Sequence, residues 1–512
     1  MTRRLIAGMI GLTLAVAGFS ARAEDQPVKV RVDGGMVVGR ASAAMESFRG
    51  VPFAAPPVGD LRWRPPQPIA PWTTDRDASR FGPACLQPQR PDGRPNAGGY
   101  SGGASEDCLN LNIYAPKGAK HAPVMVWIYG GANVYGANSL PSYDGTAFAR
   151  DGVVLVEINY RLGALGFFAH PALTKAAKPG EALANYGLMD QVAGLQWVRR
   201  NIAAFGGDPR NVTVFGESAG GVDILALMGA PSAKGLFEKA IVESGGGWFP
   251  ADSLSAAEAK GVSLVQKAGA APTASIADLR ALPAEALVVH TEGSMGPTVD
   301  GKFLTQQPEA AFAKGETVRV PLIIGSNSFE ASLMQSFHIP PDRYLSIFPP
   351  AVKAAYTKEN SDDAAVANAL FTDFAMGAPA RWVAGKASGG APAWLYYFSY
   401  VRVAQRSRLP GANHASEIPY VFGSQDVIPN YSAEIVDQDR ALAKVMHACW
   451  VAFAKAGAPS CAGAPAWPTF SPAKDQLMEF GQTVGIREHF RKTQFDLLET
   501  VEQMRIARDA GN

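Results

Sequence analysis

The sequence predicts an α/β fold: a central, mostly parallel sheet flanked by helices, with further helices inserted between strands. Three observations carry this reading. PVMVWIYG (residues 123–130) and GVVLVEINY (152–160) are near-continuous apolar runs, the pattern of strands buried on both faces of a parallel sheet. LMDQVAGLQWVRRNIAAFGGDP (188–209) places apolar residues at helical spacing and stops at Gly206-Gly207, with Pro209 beyond. VTVF (212–215) then reads as a third strand, and the order strand–helix–strand implies parallel pairing with covering helices.

Along the chain, Arg3 and Arg4 precede an apolar stretch from Leu5 to Phe19, and Ala21-Arg22-Ala23 supplies a small-x-small cleavage pattern. Residues 1–23 are therefore expected to be a signal peptide. Residues 24–512 would form one domain of an exported protein, periplasmic or secreted. No later run reaches the roughly 18 to 20 apolar residues of a spanning helix, so no membrane anchor is expected after cleavage. Hydrophobic residues make up 47% and charged residues 18%, a globular composition. Lys+Arg 47 against Asp+Glu 46 gives no global attraction to nucleic acid or to an anionic membrane.

Cys85, Cys108, Cys449 and Cys461 form an even set in a compartment that permits disulfides. Three pairings are possible; Cys85–Cys108 and Cys449–Cys461 are favoured because each closes a short loop, worth about 3 kcal/mol in the chain-entropy model. A zinc site is the competing reading, but no CxxC or adjacent Cys/His spacing supports it. Residues 91–105 are a low-complexity surface loop. Residues 253–313 are Ala-rich and helical, VPLIIGS (320–326) is a strand, residues 341–389 are helical again, and AWLYYFSYV (393–401) is an aromatic strand.

The pattern G-x-S-x-G occurs twice, around Ser101 and around Ser218. It carries chemistry only where a strand enters and a helix leaves, forcing the serine onto a strained, exposed turn. Ser101 has neither strand nor helix around it, only a stretch rich in Gly, Pro and Asn, and reads as a loop serine; Ser218 follows VTVF and precedes a helical run. A nucleophilic serine needs a base, and the base a carboxylate, in the chain order Ser, acid, His. After Ser218 come His290, His338, His414, His447 and His489. His414 lies in a Gly-led loop after a strand, whereas His447 sits at helical spacing among apolar residues and reads as a core or helix-face histidine. Glu330 follows the strand 320–326 directly, although spacing alone does not single it out from the other acids there. Donors for an oxyanion are available where WIYGGAN ends a strand in Gly130-Gly131-Ala132, and from the N–H of Ala219.

The sequence resembles the type B carboxylesterases, the carboxylesterase/cholinesterase family of α/β-hydrolases. The likeness runs through FRGVPFAAPPVGDLRWRPP (48–66), SEDCLNLNIYAP (105–116), INYRLGALGFF (158–168), residues 185–221, GPTVDG (296–301) and GANHASEIPYVFG (411–423). The resemblance implies Ser218 as nucleophile, His414 as base and Glu330 as acid, with an oxyanion hole from Gly131, Ala132 and Ala219. It implies that Glu217, Ser244 and Glu417 organise the site, that Cys85–Cys108 is a family disulfide, and that Cys449–Cys461 is a second. The implied activity is hydrolysis of small-molecule carboxylic esters through an acyl-enzyme, without metal or organic cofactor. The runner-up within enzymes is an amidase or lactonase; a non-catalytic binding protein is disfavoured because all three catalytic positions are filled.

Two departures matter. Many relatives have a third glycine and then an aromatic where this chain has Ala132-Asn133, which is expected to make the pocket wall more polar. The loop closed by Cys85–Cys108 holds only Tyr100 as an aromatic, which disfavours choline esters. Arg402, Arg406 and Arg408, with Arg90 and Arg94, would favour an anionic acyl group if they lined the pocket. Trp248 and Phe249 read as pocket wall or core.

Overall fold

The five apolar runs lie together in one 13-stranded sheet. The computed structural model describes residues 26–291, 293–359, 362–429 and 431–510; the expected signal peptide, residues 1–23, lies outside them. The sheet strands are β1 (Gln26–Val32), β2 (Gly35–Ala41), β3 (Met45–Pro52), β4 (Asn110–Pro116), β5 (Ala122–Ile128), β6 (Val154–Ile158), β7 (Gly207–Glu217), β8 (Lys239–Glu243), β9 (Leu322–Asn327), β10 (Ala393–Phe398), β11 (Gln476–Phe480) and β12 (Val484–Glu488). Their spatial order is β1-β2-β3-β4-β6-β5-β7-β8-β9-β10-β11-β12, and the short strand Arg76–Asp77 pairs with β2 off this path. From β6 to β11 every pair is parallel, while both flanks are antiparallel.

The expected mostly parallel sheet is therefore present, and its central strands are apolar because helices cover both faces. Val214 of β7 pairs with Val126 on one side and Ala240 on the other, all three fully buried. The predicted helix is α1 (Tyr186–Asn201), continued by one 3-10 turn and ended at Gly206 with φ 81°. α2 (Ala219–Gly229) follows the predicted turn serine. The helices Leu254–Lys267, Ile276–Ala281, Ala284–Val289 and Pro308–Lys314 are inserted between β8 and β9; Pro341–Leu345, Pro350–Thr357, Asp363–Thr372 and Ala378–Ala387 lie between β9 and β10.

Beneath the carboxyl ends of β5 and β7, Trp127, Phe148, Phe215 and Phe422 pack tilted, edge-to-face or stacked, with ring centroids 4.7 to 5.8 Å apart. Burying each ring contributes on the order of 2 kcal/mol, and each pair adds about 0.5–1.5 kcal/mol. Phe422 lies in the helical turn Ile418–Phe422 just after His414, so this cluster anchors the histidine loop to the sheet. His447 packs against Phe148 at 4.6 Å and points Nδ1 at Val421 O, 2.7 Å away, the core histidine its helical spacing suggested. Both disulfides, Cys85–Cys108 and Cys449–Cys461, are formed. Among the described residues no helix is long and apolar enough to cross a membrane, and no cluster of His, Cys, Asp and Glu is arranged to hold a metal.

Candidate active site

Ser218 stands where β7 stops and α2 begins, with φ 56° and ψ −125°. Such a backbone costs a non-glycine residue on the order of 1–3 kcal/mol. The flanking glycines explain how the chain reaches it. A Cβ on Gly216 would come 2.5 Å from Ile128 O, and one on Gly220 only 2.0 Å from the same oxygen. The motif's spacing is thus a packing requirement of β7 and α2 against β5. The Ser218 amide donates to Glu243 O at 2.8 Å, and its carbonyl accepts from Val222 at 2.9 Å. Ser101, in contrast, lies in an exposed loop.

Glu330 and His414 leave the same edge of the sheet, after β9 and β10, and a parallel bridge between Phe329 and Asn413 ties their loops together. His414 Nδ1 lies 2.5 Å from Glu330 Oε2. Glu330 is fully buried, and its other oxygen accepts from Ser244 Oγ at 2.6 Å and from the Asn327 amide at 2.7 Å. These bonds fix the carboxylate, and the carboxylate orients the imidazole with Nδ1–H toward it, leaving Nε2 free. Nε2 lies 3.1 Å from Glu217 Oε1, in contact but without hydrogen-bond alignment. No hydrogen bond joins Ser218 Oγ to His414 among the described residues; Nε2 instead faces the residue immediately before Ser218. Such bonds are often long in free enzymes and tighten when substrate binds.

Buried carboxyl groups surround the imidazole. Burial pushes Glu217 up to about 8, partly offset by His414. Burial, reinforced by Glu330, raises Glu417 to about 7, and burial holds Glu243 well above the carboxylate range. For His414, burial disfavours the imidazolium, but Glu217 and Glu330 outweigh it and the net shift is upward. Asn327 donates from its side chain to Glu417 Oε2 and to Asn413 O, the latter at 2.9 Å, so one amide joins the acid and histidine loops.

The expected oxyanion donors lie in the loop after β5 and at the first turn of α2. The Gly131 and Ala132 amides donate to no protein acceptor among the described residues, and Ala219 opens α2, where an amide has no intrahelical partner. A Cβ on Gly130 would approach Ser218 Cβ to 2.9 Å, which places this loop against the serine. Ala132 (φ 59°) and Asn133 (φ 57°) are both left-handed, a conformation costing about 1–2 kcal/mol per residue.

Asn133 corrects one expectation. Its side chain turns inward, is 1% exposed, and bonds to Asp223 and Tyr160; it does not make the pocket wall more polar. The arginines are engaged locally: Arg90 and Arg94 share Asp92, Arg402 pairs with Glu434 and lies over Tyr431, and Arg406 lies over Tyr400. Trp248 is buried beside Phe374 and Trp382, while Phe249 is 45% exposed. Sequence reasoning missed Asn327, Ser332, whose hydroxyl accepts from the His414 amide at 3.0 Å, and Asp223. Asn327 and Ser332 have no signal in sequence beyond proximity to Glu330. Asp223 does have one, as the lone acid in the apolar helical run VDILALMG.

A sheet of this topology, with Glu330 and His414 in contact at its carboxyl edge and Ser218 on the turn that follows β7, has the architecture of the α/β-hydrolase class. The chain belongs to the carboxylesterase family, whose model matches residues 26–498. It is 36% identical over 493 residues to fumonisin B1 esterase of Sphingopyxis macrogoltabida, covering 91% of this chain and 88% of that protein. Identity to the para-nitrobenzyl esterase of Bacillus subtilis is 37% over 460 residues, covering 85% and 91%. The structure of the Geobacillus stearothermophilus carboxylesterase matches with a TM-score of 0.80 at 32% identity, covering 91% of this chain and 99% of that one.

Proposed function

We propose that this protein is a serine esterase that cleaves small-molecule carboxylic esters through an acyl-enzyme on Ser218. The single observation carrying this reading is the turn at Ser218, a strained strand-to-helix corner beside an imidazole clamped by a buried carboxylate. His414 Nε2 takes the proton of Ser218 Oγ as the hydroxyl attacks the ester carbonyl, and the Gly131, Ala132 and Ala219 amides receive the oxyanion. His414 then protonates the leaving alcohol, and water repeats the cycle to release the acid. Glu330 holds the tautomer and stabilises the imidazolium. The family match and its esterase relatives support the chemistry at the level of class. Export by way of a signal peptide in residues 1–23 is part of the same proposal, on sequence grounds alone. A fluorophosphonate should label the purified protein stoichiometrically, with the adduct on the tryptic peptide bearing Ser218; an unlabelled active protein, or an adduct elsewhere, overturns the assignment.

The pH profile follows from the carboxylates. An upward-shifted His414 places the acid limb of kcat/KM above the ordinary imidazole value of 6.5, with activity lost as the pH falls through it. Glu217 and His414 compete for one proton, so the limb belongs to the pair. Removing the negative charge in Glu217→Gln destabilises the imidazolium and should move the acid limb down by about one pH unit or more. Steady-state rates on an aryl ester across pH check this, and an unmoved or raised limb contradicts it.

A further inference from the structure

The proposed oxyanion loop and the helix after Ser218 are joined by a buried polar strut that the catalytic scheme does not use. Asn133 Nδ2 donates to Asp223 Oδ1 at 3.0 Å, and Asp223 Oδ2 accepts from Gln191 Nε2 at 2.6 Å. The Tyr160 hydroxyl lies 2.6 Å from Tyr129 O and 3.1 Å from Asn133 Oδ1, its one hydrogen shared between the two acceptors. Asn133, Asp223, Gln191 and Tyr160 are all 0–1% exposed. The loop end of this strut consists of the two consecutive left-handed residues, Ala132 and Asn133. Backbone contacts hold them too, from the Met295 amide to Ala132 O at 3.0 Å and from the Gly163 amide to Asn133 O at 2.7 Å. The other end is on α2, the helix whose first amide, Ala219, is the remaining oxyanion donor.

We propose that Asn133 and Asp223 are positioning residues that set the Gly131 and Ala132 amides in register with the Ala219 amide. The inference rests on the esterase reading. Only a carboxylate at position 223 offers acceptors to both amides that reach it, one from the oxyanion loop and one from α1; an asparagine there would turn one acceptor into a donor facing a donor. Burial raises Asp223 to about 7, against the two amide bonds that favour its charged form. A buried carboxylate held this way is costly in an apolar helix, and its placement at the joint between the donor sets accounts for it.

The experiment compares Asn133→Gly, Asp223→Asn and the double variant with wild type, all as the mature chain. Glycine adopts the left-handed backbone freely, so Asn133→Gly removes the amide without demanding a new loop conformation. Each single variant should lower kcat on p-nitrophenyl acetate on the order of 10²-fold with KM nearly unchanged. Affinity for a trifluoromethyl ketone, whose serine adduct places an oxyanion in the hole, should weaken by the same factor. The double variant should be no worse than the poorer single one. Asn133→Gly at wild-type kcat, a kcat loss without weaker ketone binding, or additive losses in the double variant would each overturn the proposal. Fluorophosphonate labelling of wild type separates the two levels: an unlabelled wild type fails the esterase reading itself, whereas a labelled, active wild type beside a fully active Asn133→Gly fails this inference alone.

Discussion

Ser218→Ala should lower turnover of an aryl ester by on the order of 10⁵-fold or more while leaving the protein folded. The size follows from the proposed role: a nucleophile forms the acyl bond, and the imidazole and the proposed oxyanion donors have nothing to act on without it. The retained fold follows from the structure. Alanine keeps the Cβ, so the backbone at φ 56° and ψ −125° bears the same strain as before, and Oγ makes no hydrogen bond with His414 that the fold would lose. Ser218→Gly is the sharper control. Glycine accepts that backbone, so this variant should be as inactive as Ser218→Ala yet about 1 kcal/mol more stable. Thermal melts beside steady-state rates read both effects together. Residual turnover near the wild-type rate would place the nucleophile elsewhere, and a collapsed melt in both variants would make Ser218 a structural residue.

The central sheet was legible because parallel strands buried on both faces leave near-continuous apolar runs, as in β5 and β7. The antiparallel flanks were not. β1 buries only its last residue, Val32, and β12 has no buried residue, so neither stands out from a polar loop. Ser218 was legible because its motif sits between a strand and a helix, and both cysteine pairs because short loops favour closure. Glu330 and His414 are different. Their local signals, a strand end for Glu330 and a Gly-led loop for His414, do not pair them; they meet because β9 and β10 are neighbours in the sheet although β10 begins 66 residues after β9 ends, a pairing no window of sequence displays. Asn133 failed for a subtler reason. A left-handed residue throws its side chain to the side opposite that expected of an extended strand end, here into the interior where Asp223 waits.

Glu330→Gln should cost about 10⁴-fold in kcat, or roughly 5.5 kcal/mol of transition-state stabilisation, at nearly unchanged KM. The argument lies in which oxygen does what. Oε1 accepts two hydrogen bonds, from Ser244 Oγ and the Asn327 amide, so a glutamine keeps its carbonyl there to satisfy both donors. Its NH₂ then occupies the place of Oε2, 2.5 Å from His414 Nδ1 in the wild type. An NH₂ in that position donates to Nδ1, which forces the imidazole proton onto Nε2, the nitrogen that must accept the serine proton. The base is present but holds its proton on the wrong side. The opposite amide rotamer turns the NH₂ toward the Asn327 amide, donor against donor in a fully buried site, and so offers no escape. Glu330→Asp separates tautomer from charge: it keeps an acceptor for Nδ1–H and loses only reach, so its defect should be far smaller than that of glutamine. If glutamine and aspartate were equally impaired, distance and not tautomer would govern the imidazole. If glutamine turned over at the wild-type rate, orientation would have to come from the Nε2 side, where Glu217 is the one carboxylate in contact with it among the described residues.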